Sequence, residues 1–172
     1  PISNFDGTED SVSTIAHELG HAMHSFYSKK NQCHTNANYP IFLAEIASTV
    51  NEVLLSEYNI KNAQNDTEKL LYLTDFLDKF RATVYRQTMF AEFEMLIHDM
   101  EQKGKALTSE TLYQTYYNLN KLYYGDNVIS DKLIGYEWSR IPHFYTPFYV
   151  YKYATGFMAA VSIATDILNN KP

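Results

Sequence analysis

The apolar positions of this chain recur with a period near 3.6 residues along almost its whole length, which is the spacing of one helical face. Val12, Ile15, Ala16, Leu19, Ala22, Met23 and Phe26 carry the first such run, which Thr8 or Asp10 is placed to cap and which extends to about Lys30. The polar stretch Asn31–Pro40 breaks it. A second run, with Phe42, Ile46, Val50, Val53 and Leu54, extends from Ile41 to about Tyr58. After a turn at Lys61–Asp66, where Asn65 and Glu68 have capping-box spacing, a long helical pattern runs from Thr67 to about Lys103. It includes Leu70, Leu73, Leu77, Phe80, Val84, Phe93, Leu96 and Met100, and neither Pro nor Gly interrupts it before Gly104. Its heptads are too irregular for a coiled coil, so one very long helix is expected. Ser109 or Thr108 opens a shorter helix through Leu122. A last helix is expected to start at Pro147, a residue suited to the first helical position, with Thr146 as cap. The opening residues Pro1–Gly7 and the stretch Tyr123–Asp131 read as loops. No strand pattern, internal repeat or low-complexity run is found. The fold class is all-α.

With 172 residues, 45% hydrophobic and 20% charged, the chain has the composition of a single globular domain, residues 1–172. Its formal charge of -6 and the lack of a Lys/Arg stripe give no support to nucleic-acid binding. No apolar stretch has the length of a membrane span, so no membrane partner is expected. The lone Cys33 excludes an intramolecular disulfide and favours a reducing, cytoplasmic setting. The chain begins at Pro1 without an initiator Met, close to its most chemical motif, and reads as part of a longer protein.

That motif lies on the first helix: His17-Glu18-Leu19-Gly20-His21, an H-E-x-x-H. Residues four apart share a helical face one turn apart, so both imidazoles can reach one metal ion, while Glu18 projects beside it as a base for a metal-activated water. Catalytic zinc usually takes three protein ligands. Position 27, where a third histidine would follow in H-E-x-x-H-x-x-G-x-x-H, is Tyr27, and the helix turns His24 away. The remaining source is a carboxylate on the second helix, where Glu45 and Glu52 lie seven apart on one face among apolar and small residues. Glu45, nearer the turn that brings the two helices antiparallel, is assigned to the metal. Glu52 is then placed to hold a ligand imidazole in its useful tautomer. Two simpler readings stand beside this one: a helical interaction module with an incidental motif, and a metal-binding but catalytically incomplete portion of an enzyme.

His17–His24 together with Phe42–Glu52, and the later stretch Ile141–Gly156, resemble the oligoendopeptidase F family, a branch of the thimet-oligopeptidase-like zinc peptidases. The resemblance implies a zincin-like helical catalytic core that cuts short peptides, together with further parts of a full-length peptidase. It implies Zn2+ held by His17, His21 and Glu45, with Glu18 activating the zinc-bound water. In related thimet-type enzymes a histidine and tyrosines of the later stretch steady the tetrahedral intermediate. His143 and Tyr149 are the residues expected to do so here, with Tyr145 and Tyr153 behind them. Most of the fifteen tyrosines must serve packing. Tyr149 stands out because a start at Pro147 would place its phenol in the first turn, near unpaired backbone N–H groups. The same start would let Tyr145 pack on Val150.

Overall fold

The computed structural model describes residues 5–170, with the side chain of Ile41 excepted. Of the loop expected over Pro1–Gly7, the first four residues lie outside the described part, as does Pro172. Among the described residues six α-helices follow in order: α1 (Glu9–Asn31), α2 (Ile41–Asn62), α3 (Asp66–Phe80), α4 (Arg86–Gln102), α5 (Ser109–Tyr124) and α6 (Tyr151–Leu168). Short 3-10 turns occur at His34–Asn36, Lys132–Arg140 and Pro142–Tyr145. Among the described residues there is no strand, as an all-α chain requires, and no helix is long and apolar enough to cross a membrane.

The helix starts have local causes. Thr8 caps α1 by accepting the Ser11 N–H, and Thr108 caps α5 by accepting that of Thr111. Asn65 caps α3 by accepting the Glu68 N–H at 2.9 Å, while the Glu68 carboxylate reaches back to the Gln64 N–H at 2.6 Å. The long run expected from Thr67 is helical throughout 66–102, yet it is not one uniform helix. Arg81–Tyr85 forms a π-helical turn between α3 and α4. Such a turn departs from the i→i−4 hydrogen-bond ladder of an α-helix.

The chain divides into two compact units. The first comprises residues 1–84 and 155–172, the second residues 85–154. In the first unit, Val50 and Val53 of α2 pack with Ala160 and Ala164 of α6, flanked by Ile46, Leu54, Phe76 and Val161. Helix α1 lies on α2 through small and polar residues. Its buried positions are Ser11, Ser13 and Gly20, and Asn51 of α2 donates to the Ala16 carbonyl at 3.1 Å. The apolar stripe that identifies α1 as a helix is therefore not the face it buries: Val12, Ile15, Leu19, Met23 and Phe26 are all exposed.

In the second unit, Met89, Phe90 and Phe93 of α4 meet Tyr116 and Leu119 of α5, with Ile141 and Val150 closing the cluster. Phe93 meets both Tyr116 and Phe144 with ring centroids 5.2 Å apart, edge to face. The segment Lys132–Arg140 is tied down by Glu137, which accepts from Arg86, Arg140 and the Tyr116 hydroxyl.

The last helix starts later than its sequence predicts. Thr146 closes the preceding 3-10 turn through its N–H to the His143 carbonyl, so it is not a cap. Phe148 has a φ of 57°, a left-handed conformation that cannot propagate a right-handed helix. Helix α6 therefore begins at Tyr151, with the Tyr149 carbonyl accepting from Lys152 at 3.2 Å. Tyr149 stands before the helix rather than in its first turn. Tyr145 does not pack on Val150 either: it is 71% exposed and donates to the Ser139 carbonyl.

Candidate metal centre

The close approach of α1 and α2 builds a cluster in the first unit. Gly20 is buried, and a Cβ added to it would lie 2.5 Å from the Ser48 Cα and 2.8 Å from the Ala47 carbonyl oxygen. Only a residue without a side chain allows this separation. It brings the H-E-x-x-H face of α1 within reach of carboxylates on α2. The Nε2 atoms of His17 and His21 are 3.1 Å apart, and Glu45 Oε2 lies 3.4 Å from the first and 3.6 Å from the second. Among the described residues, His17, His21 and Glu45 are the group of three whose ligand atoms converge in this way.

These separations can be tested against a metal. Bonds of about 2.0–2.1 Å to nitrogen or carboxylate oxygen at tetrahedral angles require ligand atoms about 3.3–3.4 Å apart. The triangle observed, with edges of 3.1, 3.4 and 3.6 Å, brackets that value. Two imidazoles and one carboxylate are also a donor set that catalytic zinc uses. The side chains are half-buried, with Glu45 43% exposed, which leaves a path for an ion and for water. The residues fit the group.

Glu52 lies on the other side of His17, its Oε1 2.5 Å from Nδ1. A carboxylate there fixes the proton on Nδ1 and leaves the Nε2 lone pair facing His21 and Glu45. Its hydrogen bond raises the pKa of His17 above the ordinary value, against the opposing effect of burial. Glu18 is half-buried on α1 beside the cluster residue His17. His24 does not join the cluster. Its ring stacks on Tyr39 with centroids 3.8 Å apart.

The second unit contains a different grouping. The rings of His143 and Tyr149 stack with centroids 5.2 Å apart and an interplanar angle of 13°. The Tyr153 hydroxyl lies 3.0 Å from His143 Nε2. Lys152 places its ammonium 4.9 Å from the Tyr149 ring centroid. Of the aromatic candidates, His143, Tyr149 and Tyr153 come together, and Tyr145 stands apart. Tyr149 lies outside the first turn of α6, and its ring is stacked on His143.

Sequence reasoning passed over Glu94, which is only 3% exposed and accepts the Phe148 N–H at 2.6 Å. A signal was present, because Glu94 lies four residues after Phe90 and next to Phe93, on the face that α4 buries.

Comparison with known proteins places the chain. The model of Peptidase family M3 matches residues 2–172. The chain is 50% identical over 167 residues to oligopeptidase PepF of Bacillus subtilis (strain 168), covering 97% of this chain and 25% of that protein. It is 47% identical over 168 residues to the chromosomal oligoendopeptidase F of Lactococcus lactis subsp. cremoris, covering 98% and 28%. The crystal structure of oligoendopeptidase-F from Enterococcus faecium is similar with a TM-score of 0.82 at 46% identity, over 95% of this chain and 29% of that one. The chain thus spans about a quarter of the length of the curated relatives it matches. Matched along nearly all of its own length by the family model, by these relatives and by a solved structure of the same helical fold, the chain belongs to peptidase family M3.

Proposed function

We propose that this chain is the catalytic core of a zinc-dependent endopeptidase acting on short peptides. The observation that carries the reading is the triangle of His17, His21 and Glu45 atoms, 3.1 to 3.6 Å on an edge, on an H-E-x-x-H helix. These three residues would hold Zn2+, and Glu52 would keep His17 in the ligating tautomer. Zinc, when bound, supplies a Lewis acid that lowers the pKa of water to about 7 and polarises the scissile carbonyl. Glu18 takes the proton from the attacking water and returns it to the departing amine. His143 and Tyr149 are assigned as donors to the oxyanion, each worth about 10²–10³ in rate by analogy with other enzymes. What supports that assignment is the donor chemistry of the trio with Tyr153 and the family to which the chain belongs.

The test is Glu18→Gln, which removes the base and no ligand. Hydrolysis of a fluorogenic peptide should fall at least about 10²-fold while the zinc content stays at that of the unaltered protein. Loss of zinc from this variant, or unchanged turnover, would show that Glu18 has a different role.

A further inference from the structure

Helix α4 carries a two-point clamp. Glu94 and His98 are four residues apart, hence on one face a turn apart. Glu94 accepts the backbone N–H of Phe148 at 2.6 Å, and the ring of His98 lies over the ring of Phe148 with centroids 4.7 Å apart. Both grip one residue, and that residue has a φ of 57°, a region that bulky side chains rarely occupy. Such a conformation persists only where its surroundings over-determine it. Phe148 itself is 54% exposed, so burial of its ring does not impose the conformation. On its C-terminal side, Val150 is fully buried in the core of the second unit. Tyr149 is thus held between a pinned residue and an anchored one, and its ring is delivered flat onto His143.

We infer that Glu94 is a positioning residue: by holding the Phe148 N–H it fixes the left-handed backbone that seats Tyr149 against His143. The inference rests on the reading of His143 and Tyr149 as oxyanion donors for its bearing on catalysis, but not for its structural content. A buried carboxyl group needs a hydrogen-bond partner. Satisfying it with the backbone of this one residue links the core of α4 to the ring pair. What Glu94 supplies is an acceptor oxygen at one point, which an amide of the same shape also supplies.

The test compares Glu94→Leu with Glu94→Gln. In Glu94→Leu, amide exchange at Phe148 should quicken at least about 100-fold, and nuclear Overhauser effects between the His143 and Tyr149 rings should vanish. Glu94→Gln should retain both. With peptide substrate, kcat should fall on the order of 10²-fold in the Leu variant with KM within about threefold, and recover in the Gln variant. If Glu94→Leu does not fold, Phe148→Pro, at an exposed position, takes its place: it removes the N–H that Glu94 accepts and excludes the left-handed φ, and should loosen the same ring stack. A ring stack that persists in Glu94→Leu or Phe148→Pro, or that is absent from Glu94→Gln, overturns the positioning role. Separation of the two rings with kcat unchanged would leave that role standing and instead remove His143 and Tyr149 from the proposed chemistry.

Discussion

Gly20→Ala is the most informative single perturbation of the metal cluster, because it touches no ligand. The new Cβ would sit 2.5 Å from the Ser48 Cα, 2.8 Å from the Ala47 oxygen and 2.9 Å from the Ser48 nitrogen. All three are backbone atoms, so no rotamer change relieves the clash. Comfortable carbon contact begins near 3.5 Å, so α1 and α2 must part by on the order of 1 Å. Glu45 is one turn from Ser48, whose hydroxyl donates to the Glu45 carbonyl at 2.8 Å, so the displacement passes to the carboxylate. A metal site tolerates about 0.2 Å in its bonds. Zinc affinity should therefore drop about 100-fold or more, as for a ligand misplaced by that distance. Fold stability responds less clearly. Overpacking costs about 1–3 kcal/mol, while replacing glycine within a helix returns up to about 1 kcal/mol. Affinity, not melting temperature, is thus the decisive readout, measured by competition with a chromophoric chelator. Leu19→Ala, on the exposed side of α1, serves as control and should leave affinity unchanged. Unaltered zinc affinity in Gly20→Ala would refute the claim that this contact sets the ligand triangle.

Two further outcomes are expected. Glu45→Ala should release the metal on dialysis, whereas Glu52→Ala should retain it with about 10–100-fold weaker affinity, by metal analysis against buffered zinc; the opposite order would require the two carboxylates to exchange roles. The Asp6 carboxylate accepts from the hydroxyls of Ser11 and Thr8, which lowers its pKa to about 2. A lowered folded-state pKa means that its support of the α1 start is fully present above about pH 4 and fades as pH falls towards 2. Carbon-detected NMR of the Asp6 carboxyl should show that midpoint, and an ordinary value near 3.8 would contradict the hydrogen bonding.

Much of the fold was legible because its signals are local. Thr8, Asn65 and Thr108 satisfy the N–H groups of the turns they precede, and a cap can be read from residue type and spacing alone. The partnership of Glu45 with His17 and His21, and of Glu52 with the far side of His17, was legible for a related reason. Spacing of seven puts both carboxylates on one face of α2.

What escaped is non-local. The apolar stripe of α1 has helical period, yet periodicity does not say which face is covered, and here small residues are buried instead. Pro147 has the residue type of a helix start. The left-handed Phe148 beside it is imposed by Glu94, 54 residues earlier in the chain, and no local rule anticipates that bond. The π-turn at Arg81–Tyr85 contains neither Pro nor Gly, so composition gave no warning of it.

The central claim is that His17, His21 and Glu45 together hold one zinc ion. Crystals of the zinc-loaded protein, with data collected on both sides of the zinc absorption edge, test it most directly. One anomalous peak is expected about 2.0–2.2 Å from His17 Nε2, His21 Nε2 and Glu45 Oε2. A peak elsewhere, or none at this cluster under saturating zinc, would contradict it.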